Sequence, residues 1–405
     1  MKITHAVLAL VTLSPFSGAT TWIVDVTNGP GTNFTQISTA IAGVSEGDTL
    51  IVRPGLYQPF LLDKSLSIIG LGGSVGNQVQ FTSATIENLP AGSTTVMANL
   101  FQVGSNPTGV QVLNNSGALM VDGLTSNALL IVASSNDVRF RRLHAYAGVR
   151  CDGSRVEIAD YSSIYQVGAP SCCCDWPDSS PGAPALQVNG GEVHVARSSA
   201  AGGHGGDSYC PGMNDLCSGN GGGGGPGIDL EPNARLLVSG IFGEGGAYGG
   251  QGGHAYCTHG VDGGFGYGLV MVAGCEARVS GETISTLNSG GTITHPSPDD
   301  PTIVGVGTPT QGSNFTMSVH GPVGATADVI LGRRPIIVGT PQLDEEQLTP
   351  VNRVFHLGVI PASGTVSLNF PVSSAWPQGF SVVFQGRLDV GGSTVYTNSL
   401  PMIVQ

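Results

Sequence analysis

The chain has 405 residues, a formal net charge of −13 and 63 glycines. Charged residues make up 11% and hydrophobic residues 40%, a balance that excludes a disordered polyelectrolyte and suits strands joined by many turns. A negative field of this size, with Lys2 and Lys64 the only lysines, argues against nucleic acid as a partner. It leaves room for an acidic polysaccharide held by a local basic patch.

Residues 1–19 read as a signal peptide. Lys2 supplies the charged start, Ala6 to Leu13 the apolar run, and Ser17-Gly18-Ala19 the small residues of a cleavage site. That run is too short to span a bilayer, which takes about 20 apolar residues, and no later stretch is long enough. A secreted or cell-surface protein without a transmembrane segment is expected. In an oxidising compartment an even cysteine count points to disulfides. All eight, Cys151, Cys172, Cys173, Cys174, Cys210, Cys217, Cys257 and Cys275, are therefore disulfide candidates, with pairing open. The paired CxxC spacing of zinc sites is missing.

After the leader, "TWIVDVTN" reads as a strand. In "NFTQISTAIAGV", Phe34, Ile37, Ile41 and Val44 recur at helical spacing, and Asn33 is placed to cap the start. Two strands follow, Leu50–Val52 and Leu66–Ile69, with a Pro54-Gly55 turn after the first. This opening resembles the N-terminal cap and first rung of right-handed parallel β-helix proteins of the pectin-lyase-like superfamily. The residues that carry it are the helix Phe34–Val44, Gly47-Asp48-Thr49-Leu50-Ile51-Val52, Pro54-Gly55-Leu56-Tyr57 and Leu66-Ser67-Ile68-Ile69-Gly70. The resemblance implies a solenoid whose open end is covered by an amphipathic helix. It speaks to fold and not to activity.

Short apolar segments then recur, among them "GVQVLNN", "ALMVDGL", "ALLIVASS", "DVRFRRLHAY" and "SRVEIADY", each bounded by turn residues. The centre holds an internal repeat at an offset of 47: "GGHGGDSYC" from Gly202 matches "GGQGGHAYC" from Gly249. Each copy leads through a second glycine-rich run to a strand. The pattern predicts two strands around a tight turn, then a long excursion. "VGAPSCCCDWPDSSPGAP" stands where an earlier excursion belongs.

Prolines at 296, 298 and 301 mark a linker. Beyond it cysteine vanishes, and some seven antiparallel strands suit a small β-sandwich, similar to C-terminal modules of large exported bacterial proteins. The expected fold is all-β: a right-handed parallel β-helix solenoid with an N-terminal capping helix over 20–290, a linker at 291–301 and a β-sandwich at 302–405. Gly/Cys-rich excursions fill 165–275.

Three chemical readings follow. Gly203-His204-Gly205 looks like the Gly-His-Gly of polygalacturonases, but that family's Asn-Thr-Asp, Asp-Asp and Arg-Ile-Lys segments are missing. Asp207 has no second carboxylate beside it, as glycoside hydrolysis requires. "GLYQPFLL" has Gln58 and Pro59 where the Gly-x-Tyr-x-Glu of pectin esterases wants glutamate. The one basic cluster is Arg139, Arg141, Arg142, Arg150 and Arg155. Arginine grips carboxylates, so Arg139, Arg141, Arg150 and Arg155 are candidate binders of an acidic glycan. Arg139, Arg141 and Arg142 are the candidates for a lyase, which would bring calcium through Asp137, Asp152 and Asp160. The competing reading is a solvated face paired with local acids. For a metal, His204, His254, His259, Asp207 and Asp262 are candidates, although the repeat sets Gln251 against His204 and His254 against Asp207. No catalytic residue, metal or cofactor is assigned. The leading expectation is an exported non-catalytic β-helix with a binding or structural role toward polysaccharide or cell-surface components. The alternative is a lyase or hydrolase of acidic polysaccharide.

Overall fold

The computed structural model describes residues 19–72, 76–104, 108–135, 137–168, 172–173, 180–209, 220–239, 246–255, 262–280, 284, 287–295, 300–332 and 353–405. The expected leader lies outside them apart from Ala19. Among the described residues no helix is long and apolar enough to cross a membrane.

From Thr21 to Thr294 the chain forms one large sheet system in which every pairing is parallel. The register resolves it into three columns. The first runs through Thr21–Val24, Thr49–Val52 and Ser67–Gly70 up to Glu276–Val279 and Thr292–Thr294. A second, of short strands, includes Gly55–Tyr57, Val79–Phe81, Ser163–Tyr165, Ser199–Ala201 and Gly246–Tyr248. The third runs from Phe60–Leu62 to Leu269–Met271 and Leu287–Ser289. Three strands, Val149–Ala159, Leu186–Ala196 and Ile228–Ser239, bend from the third column into the first. This long parallel stack is compatible with a β-helix.

The sequence builds it by repeating the class of side chain at each azimuth. Leu50, Ile68, Met97, Val121, Phe140, Ile158, Val195, Val238 and Val279 pair one above another and point into the core. The helix spans Ile37–Gly43 and buries Ile37, Ala40 and Ile41. It is shorter than expected, and Asn33 does not cap it. Instead, Asn33 Oδ1 accepts from Ile23 N at 2.8 Å, and Gln36 holds the cap position without a side-chain bond.

Between second and third columns, after Ile164, Ala200 and Ala247, the chain leaves the stack. The excursions contain five extended runs, 180–183, 202–206, 221–226, 249–253 and 263–266, packed against one another. Gly202 and Gly205 donate to Tyr248 and Gln251, Gly222 and Gly225 to Gly206 and Gly203, and Gly263 and Gly266 to Gly253 and Gly250. The bonds recur at every third residue, the period of a polyproline II helix, not the period two of a strand. Runs at 202 and 249 form an outgoing layer; runs at 180, 221 and 263 form an incoming one. Glycine is required by proximity: a Cβ on Gly205 or Gly252 would strike the carbonyl of Gly222 or Gly263. Gly221, Gly224 and Gly225 are thus close-packed backbone, not loop tips.

Residues 300–405 form two antiparallel sheets. One orders Thr302–Val306, Asn314–His320 and Thr365–Pro371; the other orders Arg353–Val359, Thr326–Gly332, Ser381–Val390 and Ser393–Ile403. They share an apolar core that includes Phe315, Met317, Val329, Phe384 and Leu400. Asp300 is buried, receives Arg278 Nε at 2.9 Å and Nη2 at 2.7 Å, and its N–H donates to Ser280 Oγ.

The close glycine packing yields a contrast. Gly205→Ala should destabilise the excursion lobe by roughly 1–3 kcal/mol, an overpacking cost. Gly264→Ala, where nothing lies within 4 Å of a new Cβ, should be neutral. Hydrogen exchange across 200–206 and 249–253 reads the difference, with the C-terminal sheets as internal control.

Candidate functional site

The basic cluster divides among three environments. Arg139 and Arg141 do share a face, the outer face of the first column. That face is covered by the C-terminal sheets, so both are buried. Arg141 lies 2.5 Å from Asp160 and 3.1 Å from Asp122, donates to the carbonyls of Gly305 and Gly307, and stacks over Phe315 at 5.2 Å. Arg139 pairs with Asp137 at 2.9 Å. Arg142 occupies a left-handed turn (φ 51°), so its side chain leaves the face and reaches Asp122 and Thr308 Oγ1. Arg141 and Arg142 therefore join the stack to the C-terminal sheets, and Arg139 is buried beside Asp137 and Glu157.

Further along that face, Glu157 accepts from Ser399 N at 2.7 Å and from Ser399 Oγ. Burial holds its carboxyl above the usual range, against the opposing pull of Arg139 and Ser399. The same face is apolar toward the N-terminus, where Ile51, Ile69, Val96, Ala98 and Met120 pack with Val383 and Ile403. Arg155 stands in a charge ladder across adjacent strands: it meets Glu192 at 3.3 Å, and Arg235 meets Glu192 at 3.8 Å and Glu276 at 3.2 Å. The calcium candidates do not converge, because Asp137, Asp152 and Asp160 each pair with a different arginine.

Of the expected disulfide residues, Cys151 and Cys275 carry free thiols in the apolar core. This corrects the expectation for those two. Cys151 points inward from the strand Val149–Ala159 and Cys275 stands just before the strand Glu276–Val279; burial, then Asp152, pushes the Cys151 thiol up. Cys275 Sγ faces the carbonyls of Leu230 and Glu231. Cys174, Cys210, Cys217 and Cys257 lie outside the described residues, as does His259; for Cys172 and Cys173 only the backbone is described. His254 and Asp262 are brought together at 3.6 Å, and His254 N donates to Asp207 Oδ1 at 2.8 Å. His204 stands on the adjoining run. Among the described residues no group of three or more His, Cys, Asp or Glu is arranged to hold a metal.

Arg150 alone of the cluster faces open solvent. It lies on the outer face of the third column, where Ile131, Arg150, Gln187, Asp229 and Val270 stack in register. Its Nε bonds Asp152 Oδ1 at 2.9 Å, and Asn189 Nδ2 holds the same oxygen at 2.6 Å. The side chain is 46% exposed, so much of the guanidinium fork still faces solvent. Burial and then Glu231 hold the Asp229 carboxyl above its usual range.

Arg150 lines an open cleft of about 460 Å³ together with Asn127, Gln166 and Gln187, floored by Ala128, Leu129, Ala147 and Val149. Ala183 and Pro184 form one wall, which is the near edge of the excursion lobe. Next along the chain from Ala147 and Gln166 stand Tyr146 and Tyr165. Both are exposed, and their rings stack at 6.1 Å and 16°. Tyr248 continues this line, because Tyr165 pairs with Ala201 and Ala201 with Tyr248. Sequence reasoning missed these tyrosines and amides. The signal was the 19-residue spacing of Tyr146 and Tyr165, the same rung spacing that sets Asp122, Arg141 and Asp160 together.

Two predictions separate these environments. Arg141→Ala strands buried Asp160 without its counter-charge and leaves Asp122 to Arg142 alone, and should cost about 3–5 kcal/mol in urea unfolding, whereas Arg150→Ala should change stability by less than about 0.5 kcal/mol. His194 is buried against Ser239 Oγ at 2.7 Å, and burial followed by Arg155 lowers its pKa to about 3. A depressed histidine pKa gives stability that is complete above pH 6.5 and lost as pH falls toward 3. The raised carboxyls of Glu157 and Asp160 act in the opposite sense. His194→Gln should therefore flatten the acid limb of melting temperature against pH below 6.5, by an amount worth a few kcal/mol. An unchanged acid limb would contradict the assignment. The chain matches no protein-family model and no curated protein.

Proposed function

We propose that this protein is an exported, non-catalytic right-handed parallel β-helix that binds a glycan chain at the Tyr146–Tyr165 cleft. The observation that carries the reading is the pair of stacked, exposed tyrosines beside a solvent-open cleft into which Asn127, Arg150, Gln166 and Gln187 are set. Exposed aromatic faces in register are a cost to a soluble protein unless something covers them. Ring faces suit the C–H faces of pyranoses. Amides at Asn127, Gln166 and Gln187 suit hydroxyls, and the Arg150 fork suits an acidic substituent. In this reading the helix Ile37–Gly43 covers the N-terminal end of the solenoid. The antiparallel C-terminal sheets form a β-sandwich that shields the charged outer face. The excursion lobe supplies a wall of the cleft, and cysteines of the excursions brace it by disulfides.

Against a lyase or hydrolase stands the sealing of Arg139 and Arg141 under the C-terminal sheets. The test is a panel of neutral and acidic polysaccharides on an array, followed by calorimetry on those retained. Binding without release of reducing or unsaturated ends is expected. Tyr146→Ala and Tyr165→Ala should each weaken it roughly tenfold, as loss of an aromatic platform does. Arg150→Ala should weaken acidic glycans more than neutral ones. Turnover of any substrate, or no retained glycan, would overturn the proposal.

A further inference from the structure

A buried polar pair stands where the cleft begins. One inward line of the second column runs from Phe81 through Gln102, Ser126, Ala145 and Ile164 to Ala247. Every member is buried, and only Gln102 and Ser126 are polar. A buried amide is costly unless its donors and its acceptor are used. In Gln102 both ends are used. Its Nε2 donates to the carbonyls of Thr82 at 2.9 Å and Val103 at 2.8 Å. Its Oε1 accepts from Asn127 N at 2.9 Å and Ala128 N at 3.0 Å. Ser126 Oγ donates to the carbonyl of Ala128 at 2.7 Å.

These groups hold the corner at which the chain turns from the second column into the third. Asn127 and Ala128 line the cleft. The corner in turn seats the one above it, because the carbonyl of Ser126 accepts from Tyr146 N at 2.8 Å. Tyr146 is the first of the two stacked tyrosines. Gly109 leaves the amide its room: a Cβ there would stand 2.7 Å from Gln102 Cδ and 2.9 Å from Ala128 Cβ. Gln102 itself is fully buried, so it acts on the cleft through the backbone it holds.

We propose that Gln102 is a positioning residue for the cleft. It fixes the backbone of Asn127 and Ala128, and through Ser126 the seat of Tyr146. The Asn127 amide and the Tyr146 ring then meet a sugar ring in a set relation. The inference rests on the glycan reading of the cleft. What Gln102 governs is recognition of ring hydroxyls, since Arg150 is held separately by Asp152 on the strand Val149–Ala159. Loss of Gln102 therefore weakens neutral and acidic glycans alike, whereas loss of Arg150 separates them.

The test is calorimetry of the full chain with a retained neutral and a retained acidic glycan. Gln102→Met removes both ends of the amide at similar volume. It should weaken both glycans roughly tenfold, because two buried N–H groups lose their acceptor. Gln102→Glu is the rescue. Its protonated carboxyl accepts from the same N–H groups and donates to Val103, whereas its ionised form faces two carbonyls without a proton. Its affinity relative to wild type should be near one at about pH 5 and fall as the buried carboxyl ionises. Gly109→Ala crowds the amide and should also weaken binding. Val329→Ala, in the core of the C-terminal sheets, is the control: it should lower the melting temperature without changing affinity. Wild-type affinity in Gln102→Met, a loss confined to acidic glycans, or a Gln102→Glu ratio that does not change with pH overturns this proposal and leaves the glycan reading standing. If Gln102→Met does not fold, the Gln102→Glu profile decides. No glycan retained by the wild type overturns both.

Discussion

A parallel stack holds together only if each residue suits the surroundings of the one above it. Strands repeat at about 4.8 Å, so one azimuth of this molecule is a line of equivalent sites. Where the line points inward, each site must be apolar, and the succession from Leu50 to Val279 satisfies that. Where it points outward, a line is free to change character from strand to strand, as Ile131, Arg150, Gln187, Asp229 and Val270 do, or to alternate regularly. The Arg155–Glu192–Arg235–Glu276 ladder is one such line. Alternation of charge fixes its register, because a slip by one strand would set like charges together. Tyr146, Tyr165 and Tyr248 stand on another line, interrupted by Ala201.

The outer face of the first column shows what happens when such a line is covered. It is apolar from Ile23 to Met120, and beyond that it carries the charges of Asp122, Arg139, Arg141, Glu157 and Arg278 among neutral residues such as Ala159 and Leu237. The C-terminal sheets meet both halves. Val383 and Ile403 fill the first; Gly305, Gly307 and Ser399 answer the second with carbonyls and hydrogen-bond donors. Hydrophobic contact supplies area there, whereas the charged half supplies position. A buried arginine between two aspartates tolerates little displacement before a charge is left unpaired.

Much of this order was legible before any coordinates. The opening strands, the repeat at Gly202 and Gly249, and the strands after residue 302 all follow from local pattern. The fate of the arginines was not legible, because Arg141 meets Gly305 and Gly307 from more than 160 residues away. Local pattern gives Arg139 and Arg141 a common face but cannot say what lies over it. Cys151 and Cys275 were misjudged for a related reason. Composition assigned all eight cysteines to one chemistry, while strand parity places these two inward among valines and leucines. The tyrosines were passed over because a period of 19 was masked by the longer excursions that begin after Ile164.

Glycine content reads differently once the lobe is seen as backbone packed on backbone. In a strand stack the side chains do the packing, and glycine weakens it. In the lobe two of every three residues must lack a side chain, and the third faces outward. His204, Asp207, Gln251 and His254 are those third residues, which explains why they exchange freely between copies while their neighbours remain glycine. The lobe can thus vary its outer surface without disturbing its interior.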